Sequence, residues 1–134
     1  MATAKSKNLV VLVAGTDISQ YCDSNEHHVK PDVNDITTYG KDWHVKEGNL
    51  LDGNGSIGGI YDTSVVAGPR AILEALVGQT VTYVRRVEGT GSGKPQMSRD
   101  VVVGEYVETA PVADIVRWTC ALEYSDEPDN TPQA

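Results

Sequence analysis

Arg117-Trp118-Thr119-Cys120-Ala121-Leu122-Glu123-Tyr124 is the stretch that decides the fold. Here Trp118, Cys120, Leu122 and Tyr124, with Val116 ahead of them, alternate with Arg117, Thr119, Ala121 and Glu123. Successive side chains of a strand point to opposite faces, so this period of two predicts a strand with one buried face and makes Trp118 a core residue. Val101 to Glu108 reads as its antiparallel neighbour, joined to it by the turn Ala110-Pro111-Val112-Ala113-Asp114.

The next informative segment is Asn54 to Gly78, which reads as a strand, a turn and a helix over about 69–77. Pro69 suits the first helical position because its φ is already helical, and Gly78 suits the left-handed position that ends a helix. Ile72, Leu73, Leu76 and Val77 make one apolar stripe on a helix too short to be stable without a sheet to cover. Ser56, Gly58 and Gly59 leave the preceding strand nearly bare, which suits a close backbone neighbour and makes them candidate assembly contacts.

Leu9 to Ala14 predicts a first strand followed by a Gly15-Thr16-Asp17 turn. Ile18 to His28 reads as an edge strand of poor alternation, and Gln79 to Val87 as a strand with Val81, Tyr83 and Val87 on one face. Lys30 to Gly53 has no clear period and reads as a long loop, as does Gly-rich Glu88 to Asp100. The sum is a mainly β antiparallel sandwich or barrel with one flanking helix, a single domain over 8–125. The basic arm 1–7 and the acidic tail 126–134 have little to pack and read as mobile.

The 134 residues suffice for one domain with a real core, 40% being hydrophobic and 22% charged. Phe is absent, so aromatic packing falls to six Tyr and two Trp. No apolar run reaches the ~20 residues of a membrane-spanning helix, and membrane insertion is not expected. The net charge of −8, from 19 acidic and 11 basic residues, argues against a protein that grips nucleic acid by its phosphates. An acidic wall does suit a channel through which DNA must slide.

Catalytic readings fail on spacing. Gly89-Thr90-Gly91-Ser92-Gly93-Lys94 lacks the phosphate-loop pattern, because Glu88 stands where its first Gly should be and Pro95 where its Ser or Thr should be. His27 and His28 point to opposite faces of any strand, so with His44 they make a poor metal set. Cys22 and Cys120 lie far apart without a disulfide framework or a local nucleophile signature. No catalytic, cofactor or metal site is expected.

Asp17-Ile18-Ser19, Tyr21-Cys22, Asp35-Ile36-Thr37-Thr38-Tyr39-Gly40, Gly59-Ile60-Tyr61-Asp62, Pro69 to Gly78, the Gly93-Lys94-Pro95 loop and Ala110-Pro111-Val112 follow one another over about 8–125. This order of motifs resembles the tail tube (major tail) proteins of long-tailed bacteriophages, especially those infecting actinobacteria. The resemblance implies a structural virion protein, assembled in the host cytoplasm, whose hexameric rings stack into a tube. Its partners would be itself, a tape-measure protein, and tail terminator and distal tail proteins, with DNA passing through unbound. Carried over, Asp35, Thr37, Thr38, Tyr39, Gly40 and Trp43 are candidate assembly residues, and exposed Glu105 and Glu123 candidate acids of the lumen. The alternative that Tyr39 and Trp43 cover their own core stays open on sequence, as do a monomeric binding module and a head-to-tail connector or terminator.

Overall fold

The computed structural model describes residues 2–64 and 68–134; residue 1 of the amino-terminal arm and residues 65–67 of the turn ahead of the helix lie outside the described residues. Its strands are β1 (Val10–Val13), β2 (Thr16–Asp17), β3 (Cys22–Asp35), β4 (Lys46–Ile60), β5 (Thr80–Arg86), β6 (Met97–Thr109) and β7 (Arg117–Asp129). They form one 7-stranded sheet in the order β2-β1-β5-β6-β7-β4-β3, with every neighbouring pair antiparallel.

The period of two in β7 does what it predicts. Trp118, Cys120, Leu122 and Tyr124 face inward, between β6 and β4, and meet Val11, Val13, Ile57, Tyr83, Val101 and Val103 from four other strands. Burying each large apolar side chain stabilises the fold by about 1.5–3 kcal/mol. Trp118 also donates its indole N–H to the Ile60 carbonyl at 3.2 Å, so its one polar atom is satisfied in the core.

The sheet curls until its far strands meet across this core. Asn25 on the edge strand β3 donates to the Tyr83 hydroxyl on β5 at 3.0 Å, although three strands separate them in the sheet order. Ile18 is buried and its amide donates to the Val11 carbonyl at 3.1 Å, which ties the approach to β3 onto β1. The tight turn of the first hairpin is Ala14-Gly15, both at positive φ (52° and 81°), and Thr16–Asp17 belong to β2 rather than to the turn.

The helix is shorter than expected. α1 spans Pro69–Leu73 and tightens into a 3-10 turn over Glu74–Leu76, and Gly78 exits at φ 86°. Leu73 is fully buried, with Ile72 and Leu76 packed beside it, whereas Val77 is 43% exposed. The cause is the change of helix type: at three residues per turn Leu76 sits above Leu73, and Val77 rotates off the stripe. Gly78 N–H then donates to the Val103 carbonyl at 2.7 Å, locking the helix exit to β6.

The largest departure lies at residues 30–53, where a long loop was expected. β3 and β4 instead pair as far as Asp35↔Lys46, with one register shift between Pro31 and Val33, so only the tip is loop, and β3 and β4 beyond Val29 form a hairpin that extends past the sheet. Every residue from His27 to Asp52 is exposed, so neither face needed the alternation by which strands are recognised. At the other loop, β6 begins at Met97, earlier than the expected Val101.

The termini also differ from simple tails. β7 continues to Asp129 because β6 extends beside it, with Ser98 opposite Asp129, and Asp126 at φ 65° takes up a register shift. Gln133 then binds the β5–β6 loop through backbone bonds with Gly93 and Lys94 and side-chain bonds with Gly89 and Gly91. At the other end, Ser6–Asn8 form a 3-10 turn and residues 2–5 are exposed.

Candidate functional site

The hairpin tip is braced by its own polar residues. Asp35 accepts from the amide of Thr37 at 3.0 Å and from its hydroxyl at 2.5 Å, and Val45 N–H donates to Thr37 Oγ1 at 2.8 Å. His44 Nδ1 lies 3.0 Å from the other Asp35 oxygen. The Thr37 hydroxyl and amide, with help from His44 and Lys46, hold the Asp35 carboxyl below its usual range. Gly40, at φ 87°, provides the left-handed turn position.

This brace presents apolar side chains that the chain itself does not cover. Tyr39 is 107% exposed and Trp43 86%, so neither packs on the core, which closes the alternative left open by the sequence. Thr38 is exposed as well, Val29, Val33, Leu50 and Leu51 are exposed along the strands, and Ile36 and Val45 are exposed just beyond their ends. A two-stranded ribbon of this kind is marginal alone, and its apolar surface and open strand edges are features that a partner ordinarily covers.

Ser56, Gly58 and Gly59 find their close neighbours within the chain. A Cβ on Gly59 would stand 1.8 Å from the Tyr21 carbonyl oxygen, and one on Gly58 would stand 3.0 Å from that of Trp118. The half-buried Ser56 offers its carbonyl to Asn25 at 3.3 Å. Gly58 and Gly59 are needed because β7 on one side and the Tyr21–Ser24 segment on the other press on β4, and at Gly59 the close neighbour is Tyr21 of the same chain.

Glu105 and Glu123 share the outer face of the sheet. Glu123 stands opposite Asn54 of β4 and Val102 of β6, and Glu105 opposite Ala121. Simple alternation from Val101 and Val103 would turn Glu105 inward; the bulge at Gly104 reverses it. Around the two acids the same face carries Ser24, Ser56, Gly58, Thr119 and Ala121, all small. At one end Arg117 is paired with Asp23 at 2.7 Å, and Glu26 lies 3.0 Å from His28.

Sequence reasoning missed a polar and aromatic cluster at the hairpin base. His27 Nδ1 and the Tyr124 hydroxyl are 2.7 Å apart, Tyr83 and Tyr124 stack at 6.3 Å, and the Arg99 guanidinium lies 4.1 Å above the Tyr124 ring. Arg85 donates to Asn25 Oδ1, the same side chain that reaches Tyr83. Burial, and then the charges of Arg85 and Arg99, hold His27 below its usual pKa, while burial pushes the Tyr83 phenol up to about 12. The one sequence signal was polar residues interrupting an edge strand.

The remaining candidates for chemistry are occupied structurally. His27, His28 and His44 each have a different partner, and among the described residues no group of three metal-ligating side chains converges. Burial pushes both the Cys22 and Cys120 thiols up to about 12, away from nucleophilic thiolates. In the Gly89–Lys94 loop the amides of Gly91 and Gly93 are taken by Gln133.

The sequence matches no protein-family model and no curated protein. Solved structures do match. A chain of the SPP1 tail tube aligns at a TM-score of 0.75 and 8% identity, over 98% of this chain and 81% of that one. A chain from the tail of an empty gene transfer agent particle, of C6 symmetry, aligns at 0.70 and 11% identity, over 97% and 99%. One from the virion of the native gene transfer agent particle aligns at 0.73 and 10% identity, over 96% and 99%. Over nearly its whole length, then, this chain has the fold of tail-tube structures.

Proposed function

We propose that the chain is a structural virion protein that assembles with copies of itself into stacked rings, six to a ring, forming a tail tube through which DNA is ejected. The observation that carries this reading is the exposed hairpin with Tyr39 and Trp43 at its tip, on a fold shared with structures of assembled tails. An apolar projection of this size is a liability in a monomer and a joint in a polymer. The six-fold arrangement is argued from the C6 symmetry of the gene transfer agent tail.

In this reading the hairpin residues Asp35, Thr37, Thr38, Tyr39, Gly40 and Trp43 make contacts between subunits. Asp35 and Thr37 fix the shape of the tip, and the two aromatics anchor it. The small-residue face bearing Glu105 and Glu123 lines the lumen, where its acids keep DNA from sticking. The further partners are a tape-measure protein and the terminator and distal tail proteins at the tube ends. The place of action is the virion tail, after assembly in the host cytoplasm.

Size-exclusion chromatography with negative-stain electron microscopy tests the reading. Rings or tubes of uniform diameter are expected; a monomer at every concentration would instead favour a binding module that uses the hairpin for recognition. The lumen assignment has its own test, since reversing Glu105 and Glu123 to Lys should slow DNA ejection while leaving tube formation intact. Ejection at the unaltered rate would remove it.

A further inference from the structure

β4 and β7 pair only from Asn54↔Glu123 to Ile60↔Arg117. Beyond that point β4 follows β3 into the hairpin, while β7 follows β6 to Asp129, so the sheet splits and a cleft opens between the two arms of the split. On the cleft side β4 before Asn54 has no strand neighbour and presents a free backbone edge, whereas β7 after Glu123 is interrupted by the bend at Asp126 and by Pro128, and its Asp126 carbonyl and Glu127 N–H are already bonded to side chains. The cleft walls are the apolar side chains of Val29, Leu50, Leu51 and Met97, over a floor made by His27 and Tyr124. Acids line it too: Asp52 on one side, Asp126 and Glu127 on the other. Arg99 is the cation within it, and it is already engaged by the Tyr124 ring and the Asp126 carbonyl.

One segment of the chain matches the cleft in both shape and charge. The arm Ala2-Thr3-Ala4-Lys5 is exposed and irregular, has side chains small enough to lie between two strands, and is basic without an acid as far as Lys7. The arm of the same chain does not cover the cleft. We propose that this cleft receives the amino-terminal arm of a second copy, added as an extended segment along the free edge of β4. Backbone pairing supplies the binding, and Lys5 against the acidic rim supplies the orientation. The inference rests on the self-assembly reading above and names the contact that would lock one subunit to the next.

The test is disulfide trapping in the whole 134-residue chain with Cys22→Ala, Cys120 being buried. A chain with Thr3→Cys is co-assembled with a mass-tagged chain with Leu50→Cys and oxidised; a disulfide needs Cα atoms within about 7 Å, so only a docked arm closes it. The expected result is a mixed disulfide dimer in the assembled fraction, reduced several-fold by Lys5→Glu and restored by Glu127→Lys. Replacing Leu50→Cys by Val112→Cys, on the exposed β6–β7 turn, should abolish it. Tubes without the mixed disulfide, equal trapping at Val112, or closure within a single chain carrying both cysteines would each overturn the arm's placement and leave self-assembly standing. Failure to assemble at all would instead remove the reading on which the placement rests.

Discussion

β7 and the β3–β4 hairpin are both long antiparallel strands, yet they are held by different things. In β7 each second side chain from Trp118 to Tyr124 is buried, and that short stretch of sequence specifies strand, face and register together. In the hairpin nothing beyond Gly53 is buried, and the ladder from Val29 to Asp35 holds through backbone pairing and the Asp35–Thr37 brace at the tip. One region is ordered by its own core. The other exposes apolar residues that become useful only when a neighbour covers them.

Substitution should separate the two. Trp118→Ala removes a fully buried ring and a satisfied indole N–H, and should cost about 3–5 kcal/mol in chemical denaturation. Leu73→Ala, under the helix, belongs to the same class at about 2–5 kcal/mol. If either variant melted like the parent, the core assignment would be wrong. Gly59→Ala should cost about 1–3 kcal/mol, because the added methyl meets the Tyr21 carbonyl and the strands must part. Were it silent in stability but defective in assembly, Gly59 would return to the subunit interface.

Trp43→Ala should change monomer stability by no more than about 0.5 kcal/mol, as expected of a fully solvated side chain, and yet stop tube growth. Normal tubes from this variant would end the contrast between the regions. The smallest effect belongs to the junction between them. His27 is held below its ordinary value of 6.5, so the unfolded chain binds the extra proton first as pH falls. The contribution is therefore fully present above about pH 6.5 and is lost as pH falls toward the folded-state value. His27→Gln should flatten the pH dependence of unfolding in that range; an unchanged slope would show that the His27–Tyr124 contact does not set it.

How much of this was legible follows burial. The β7 pattern, the Pro69 start and the Gly78 stop were readable because each rests on a local rule of backbone geometry or side-chain alternation. Residues 30–53 were not readable as strands, since both faces meet solvent and the pairing partner lies well along the chain, as in Lys30↔Asp52. Gly58 and Gly59 do stand where another backbone comes close, but composition cannot say whose backbone approaches. Among the assembly candidates, exposure of Tyr39 and Trp43 was decided only when the hairpin was seen to leave the sheet.

The sequence by itself determined that this is a mainly β domain with one capped helix, a Trp118 core, an acidic surface and no local signature of catalysis, because those properties depend on neighbours within a few residues. Only the tertiary structure decided that the sheet splits beside β4, that the bulge at Gly104 turns Glu105 outward, and that Asn25, His27, Tyr83 and Tyr124 converge. Those depend on register between distant strands, which is fixed by the best joint burial of all of them and not by any one segment.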